Sequence, residues 1–398
     1  MTSVQVEKLI HAPVEATYHA FTNATALREW LCDVATVVPR PNGRIYLWWN
    51  DDFYSSGHFF ETEPDKKIRF RWFSNIDPGP SEITVSFAAQ GDGTLVTMTH
   101  SVPEGEDWAK RAEGFGAEWQ QSLENLASVL ETGKDLRIVN RPMLGIVPSD
   151  FSAEIAQHMG VPVTEGLRLD DTVEGMGARN AGLRKDDVIV GVNGQSIDND
   201  FGSLLNAIRG KKGSDTVSVS FYRGPEKHEV QMELSRRPVP EVPFDPQELA
   251  RAVHEPYISA LADLRQVFAG ISDAQAARRP QPGEWSALDT IAHLIHIERN
   301  NRQFIDELVQ GFERAGDDFG GNIDAHVRAT VQTYPSIEAI LAELERNVAE
   351  NVAFIGNLPP EFVARKGSYF RMGWGMMQAT AHIHAHTEQI KAALAAAK

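Results

Sequence analysis

Sulfur chemistry is nearly absent from this chain: among 398 residues there is one cysteine, Cys32. That excludes an intramolecular disulfide and a cysteine-based zinc cluster, so any metal must be held by histidine and carboxylate. A single cysteine also fits a reducing, cytoplasmic compartment. Long apolar runs are missing. No stretch approaches the roughly 20 apolar residues that span a bilayer, and the opening MTSVQVEKLIHAPVEA has no apolar signal core. Positive charge is scarce: 38 Lys and Arg against 55 Asp and Glu give a net charge of -17. Without a basic face, neither nucleic acid nor an anionic membrane surface is expected as a partner. There is no Gly-x-Ser-x-Gly elbow, and the first segment offers no plausible Ser, His and Asp set for a serine protease.

What is present is ample apolar content, 42%, on a chain long enough for several cores. Proline marks the breaks. One runs through RIVNRPM, Arg137 to Met143, and another through RRPVPEVPFDPQ, where Pro238, Pro240, Pro243 and Pro246 make a stiff, extended linker. A multidomain α+β protein is expected, with domains at 1–136, 141–237 and 246–398.

The first segment reads as a strand, a short helix (VEATYHAFTNATALREWL) and a strand series. In KIRFRWFS, Ile68, Phe70 and Trp72 alternate with Lys67, Arg69 and Arg71, the period of a sheet wet on one side. ITVSFAA and TLVTMTHS repeat the pattern around the turn QGDG. A terminal helix, Asp107 to Glu131, offers Phe115, Trp119, Leu123 and Leu126 at helical spacing to cover that sheet. The stretches HAPVEATYHAFTNATALREWL, PNGRIYLWW, SGHFFETEPDKKIRFRW, GTLVTMTHS and GFGAEWQQSLENLASVL resemble the START-like or SRPBCC superfamily. The resemblance is to the branch named for the activator of the heat-shock-protein-ninety ATPase. It implies a helix-grip antiparallel sheet with a long C-terminal helix and an apolar cavity for a small hydrophobic molecule. Trp30, Trp49, Phe70, Trp72, Phe87, Trp119 and Leu123 are the candidate lining. The alternative is that these residues simply fill a core.

In the second segment, MLGIVPSDF opens a domain that closes with DTVSVSFYRGPEKHEVQMEL, a hairpin turning at RGPEK. With Gly145, Ala181-Gly182-Leu183, Asp187-Val188-Ile189, Val192-Asn193-Gly194 and a helix from Phe201 to Ile208, the segment resembles a bacterial PDZ domain, a β-sandwich or barrel. The resemblance implies capture of protein C-termini by backbone N–H groups of Met143, Leu144, Gly145 and Ile146. A purely structural role between its neighbours stays open. Asp186 stands where relatives carry glycine; aspartate tolerates the left-handed turn.

The third segment carries four helical stretches, Pro246 to Ala269, Ser286 to Phe312, Ser336 to Asn357 and Trp374 to Ala397, with Ser286 and Ser336 as caps: a four-helix bundle. Within AHIHAHTEQI, residues advance by about 100° each in a helix, so His382 and His386 share a face and His384 points nearly the opposite way. PGEWSALDTIAHLIHIER together with HIHAHTEQI resembles the DinB-like metalloprotein superfamily. That resemblance implies a divalent metal, zinc or nickel, on His293, His382 and His386. His296 and His384 become bystanders. Three imidazoles leave open coordination positions, the layout of a catalytic site. The resemblance further implies transfer of a low-molecular-weight thiol to a small electrophilic molecule, or its hydrolysis. The competing reading is a ligand- and peptide-binding sensor or adaptor whose metal is structural. Glu298 is a conceivable base or outer-shell partner, but an exposed helical glutamate is the expectation.

Overall fold

The computed structural model describes residues 2–50, 52–314 and 323–396; the last expected helix ends at Ala397, outside them. The chain forms two compact units, residues 1–135 with 241–398, and residues 136–240. No helix among the described residues is long and apolar enough to cross a membrane.

The first unit opens with β1 (Thr2–Ile10), α1 (Val14–Thr22), α2 (Ala24–Trp30), β2 (Val34–Val37), β3 (Arg44–Trp48), β4 (Tyr54–Glu63), β5 (Lys67–Ser74), β6 (Ser81–Gln90), β7 (Gly93–Val102) and α3 (Glu106–Thr132). The expected single short helix is two, because Asn23 stops α1 in extended backbone and its side chain caps α2 through Ala26 N–H. The strands form one antiparallel sheet in the order β1-β7-β6-β5-β4-β3-β2. As the alternation predicts, Ile68, Phe70 and Trp72 of β5 turn inward. Helix α3 lays Phe115, Trp119, Leu123 and Leu126 on the same core.

The second unit runs α4 (Leu136–Val139), β8 (Ile146–Ser149), α5 (Ala153–Met159), β9 (Leu167–Thr172), α6 (Gly177–Asn180), β10 (Val188–Val192), β11 (Gln195–Ser196), α7 (Phe201–Ala207), β12 (Thr216–Arg223) and β13 (Glu226–Glu233). Its sheet has the order β13-β12-β10-β9-β8, with β11 on β10. Asp186 takes φ 67°, the left-handed turn expected of it. Beside it Asp187, fully buried, receives a bidentate contact from Arg223 (Nε–Oδ1 2.8 Å, Nη2–Oδ2 2.7 Å) and the Arg184 amide. A buried carboxylate is tolerable only when paired in this way.

The chain then returns to the first unit as α8 (Pro246–Val267), α9 (Asp273–Ala276), α10 (Ala287–Val309), α11 (Ile323–Thr333), α12 (Ile337–Gly356), α13 (Pro360–Val363), α14 (Lys366–Met377) and α15 (Thr380–Ala396). The bundle is present, but the expected Trp374–Ala397 helix is two helices that part between Met377 and Thr380. Gly367, Gly373 and Gly375 had masked α14, since glycine is a poor helix former. Tertiary contact decides here. Gly367 lies so close to the sheet domain that a Cβ would sit 2.4 Å from Glu29 Oε2 and 2.7 Å from Val129 Cγ1. Gly133, ending α3 at φ 79°, meets Phe370 and Lys366 in the same seam. The proline-rich linker is also packed rather than free: Phe244 stacks on Tyr369 (5.5 Å), whose hydroxyl donates to Pro243 O.

Candidate metal centre

Helix α10 starts at a reciprocal capping box. Ser286 Oγ accepts from Asp289 N–H, Asp289 Oδ2 accepts from Ser286 N–H, and Arg279 pairs with the same carboxylate at 3.1 Å. Two turns in, His293 is buried with its ring 5.0 Å from that of Trp285. Helix α15 crosses it and presents His382 and His386 from one face. The ring centroids stand 5.3 Å (His293 to His382), 4.9 Å (His293 to His386) and 4.4 Å (His382 to His386) apart. One ligand atom from each lies within 4.8 Å of the others.

Two imidazole nitrogens, His293 Nε2 and His382 Nε2, face each other at 3.1 Å, so at least one presents a lone pair. Burial, then the neighbouring His386 and His382, pushes His293 down to about 4. Burial and His386 lower His382 as well. Both rings are therefore neutral at neutral pH, the form that binds a cation. His386 Nδ1–H donates to Gln389 Oε1 at 2.6 Å, so in the neutral ring it is Nε2 that carries the lone pair. The His293 Nδ1 atom is buried without a hydrogen-bond partner. This donor set fits a divalent ion: three imidazoles converge, and one already has an outer partner.

His384 is exposed, and His296 stacks on His326 (4.5 Å) with Asn300 on its Nε2. Glu298 departs from expectation. It is buried, accepting from Tyr257 Oη (2.8 Å) and Asn351 Nδ2 (2.9 Å), and burial raises its carboxyl above the usual range. Its five-residue offset from His293 carries it around α10 toward α8 and α12. From sequence the partners Tyr257 and Asn351, far away in the chain, gave no signal; Gln389 did, standing one turn beyond His386.

The seven candidate cavity residues fall in or against one apolar cluster. Trp72 meets Trp119 edge-on at 5.4 Å and Trp49 at 6.3 Å, while Trp30 and Phe87 both meet Phe21. Their polar ends are satisfied: Trp30 donates to Ala20 O, Trp49 to Leu31 O, Trp72 to Asp77 and Trp119 to His100 Nδ1. Because indole only donates, the neutral His100 carries its proton on Nε2, against Ser81 Oγ at 2.8 Å. That tautomer cannot take a proton from Ser81, so this buried Ser–His contact makes no nucleophile.

In the second unit, Met143 exchanges two backbone bonds with Ser235, Leu144 O accepts from Ala178 N–H, and Gly145 O accepts from Val173 N–H. Gly145 has φ 78°, and a Cβ there would lie 2.2 Å from Met176 Cβ.

Three family models match, in this order: Activator of Hsp90 ATPase homolog 1-like protein over residues 11–131, PDZ domain over 142–234, and DinB superfamily over 257–390. The chain thus carries an SRPBCC-type domain, a PDZ domain and a DinB-like domain. Among curated proteins it is similar to a probable periplasmic serine protease do/HhoA-like of Haemophilus influenzae, 27% identical over 120 residues, 30% of this chain and 25% of that one. It is also similar to the periplasmic pH-dependent serine endoprotease DegQ of Escherichia coli, 28% over 100 residues, 25% of this chain and 22% of that one. The overlap with these proteases is the PDZ segment alone, and the chain spans about a quarter of their length. Similar solved structures include the Aha1 dimer from Colwellia psychrerythraea (21% identity, 34% of this chain, 99% of that one, TM-score 0.30). Another is protein MLL2253 from Mesorhizobium loti (24%, 33% and 97%, 0.31).

Proposed function

We propose that the DinB-like domain is a metal-dependent transferase that moves a low-molecular-weight thiol onto a small electrophilic molecule, or hydrolyses that molecule. In this reading His293, His382 and His386 hold a divalent ion, zinc or nickel. The observation that carries it is the convergence of three imidazoles with no fourth His, Cys, Asp or Glu in the group among the described residues. Structural zinc is ordinarily closed by four protein ligands. When bound, the ion supplies Lewis acidity at a site with open coordination positions. The chain's own residues do the rest. Gln389 orients His386, Trp285 shields one flank of His293, and Tyr257 and Asn351 hold Glu298 away from the imidazoles. The sulfur must come from outside, because Cys32 is fully buried in the sheet domain.

To the same proposal belong the division at 1–136, 141–237 and 246–398 and a cytoplasmic location. It also includes a hydrophobic molecule taken up between sheet and α3, and protein C-termini captured at Met143 to Ile146. The test is metal analysis of the purified full chain, followed by a thiol-conjugation and hydrolysis assay with model electrophiles. Stoichiometric metal with turnover that disappears in His386→Ala supports the enzyme. Stoichiometric metal with no turnover for any thiol or electrophile leaves the sensor or adaptor reading standing instead.

A further inference from the structure

The last strand of the second sheet, β8, has one side open, and its hydrogen-bonding phase is fixed. Ile146 stands opposite Thr172, and the adjoining bond runs from Val173 N–H to Gly145 O at 2.8 Å. Ile146 is therefore in a pair whose own amide and carbonyl point away from β9, and by the two-residue period so do those of residue 148. Residue 148 is proline, and it is exposed. Next to it lies a second feature. Among the described residues the N–H groups of Leu144 and Gly145 donate to no backbone carbonyl, although both residues are buried. Successive free amides around a left-handed glycine form a concavity suited to an anion.

We propose that Pro148 makes this groove a reader of chain ends alone: it takes a free carboxylate and the last three residues, and does not pair with a longer strand. The inference rests on the peptide-capture reading above. A peptide added antiparallel to β8 sets its carboxylate against Leu144 and Gly145, its final residue beside Ile146, and the residue two earlier beside Pro148. There the carbonyl of Pro148 accepts, but no N–H exists to donate, so the ladder loses a rung. Nothing extends it further. β8 ends at Ser149, and β9 carries an extra residue, Asp170, between the partners of Val147 and Pro148, a bulge that increases local twist. Asn199 ties the start of α7 to the exit of β8 by donating to Phe151 O, which narrows the approach at that end.

The experiment uses the full chain and a randomised octapeptide library with free carboxylates. The best binder is then shortened from its N-terminus and also prepared as the C-terminal amide. Expected are equal affinities from eight residues down to three, a sharp loss below three, and loss on amidation. Pro148→Ala restores the amide and should tighten peptides of three or more residues by about three- to tenfold, the worth of one net hydrogen bond. Thermal unfolding of that variant checks that it is folded. Affinity that climbs steadily with length beyond three in the parent, or is unchanged in Pro148→Ala while the free carboxylate still binds, overturns the inference and leaves capture intact. Failure of every free-carboxylate peptide to bind either protein removes the capture reading and this inference with it.

Discussion

At His386 the ring Nδ1 is engaged by Gln389, and this makes the metal proposal divisible by single substitutions. His293→Ala, His382→Ala and His386→Ala each remove one of three donors and should lose metal on dialysis. His384→Ala removes an exposed ring on the other face and should retain it. Gln389→Leu keeps all three ligands but frees the orientation of one, so its metal affinity should fall by about 10 to 100-fold, while Gln389→Glu should restore or exceed the parent value. Titration with a chromogenic chelator reads all six variants. If His384→Ala loses as much metal as His386→Ala, the site is misassigned. In the second unit, Asp187→Ala removes the acceptor of the Arg223 side chain and the Arg184 amide and should cost about 1 to 3 kcal/mol of unfolding free energy, measured by urea denaturation; Arg223 is part-exposed and keeps its bond to Gly182 O.

Helix α14 packs the bundle against the sheet domain, and its sequence reflects that seam. The segment after α10 contributes too: Asn23 donates to Gly311 O and Glu313 N–H to Thr25 Oγ1. Ser368 Oγ donates to Glu29, Arg371 pairs with Glu313 at 2.8 Å and lies 3.8 Å from Glu29, Arg28 also pairs with Glu313 at 2.9 Å, and Lys366 donates to Glu131 O. Gly367→Val would drive a branched side chain into Glu29 and Val129. A loss of about 1 to 3 kcal/mol is expected, seen as a lower melting temperature. Burial raises the Glu29 carboxyl to about 7 despite the opposing Arg371. A carboxyl whose folded pKa lies above its unfolded value stabilises fully below the unfolded value, and that contribution is lost as pH rises through about 7. Melting temperatures followed from pH 5 to pH 8 should therefore decline in the parent and decline less in Glu29→Gln. Parallel curves for the two proteins would refute the assignment.

For the whole molecule, the consequence is two units where the chain is punctuated into three segments. Residues 1–135 and 241–398 share α14's seam and should unfold together, while residues 136–240 have their own core and should unfold separately. Calorimetry should show two transitions. Adding the divalent ion at 100 times its Kd should raise only the one assigned to the first unit, by the roughly 3 kcal/mol that mass action supplies. Three independent transitions, or a shift of both by metal, would contradict this arrangement.

Local pattern by itself determined a good deal. Alternation in KIRFRWFS set the inner face of β5, helical phase separated His384 from His382 and His386, and Ser286 announced the start of α10, because each signal is carried by residues within a turn or a strand of one another. The left-handed turn at Asp186 was legible through the resemblance to PDZ domains, whose members carry glycine at that position. What only tertiary structure decided depends on residues distant in the chain. Glu298 is buried because Tyr257 and Asn351 reach it from two other helices. Gly367 stands in α14 because Glu29 and Val129 leave no room for a side chain. The Ser81–His100 contact is inert because Trp119 dictates the tautomer. Pro148 is the clearest case. The sequence shows a proline after MLGIV, but only the pairing of β8 with β9 turns its missing N–H toward the open edge, where a peptide would have used it.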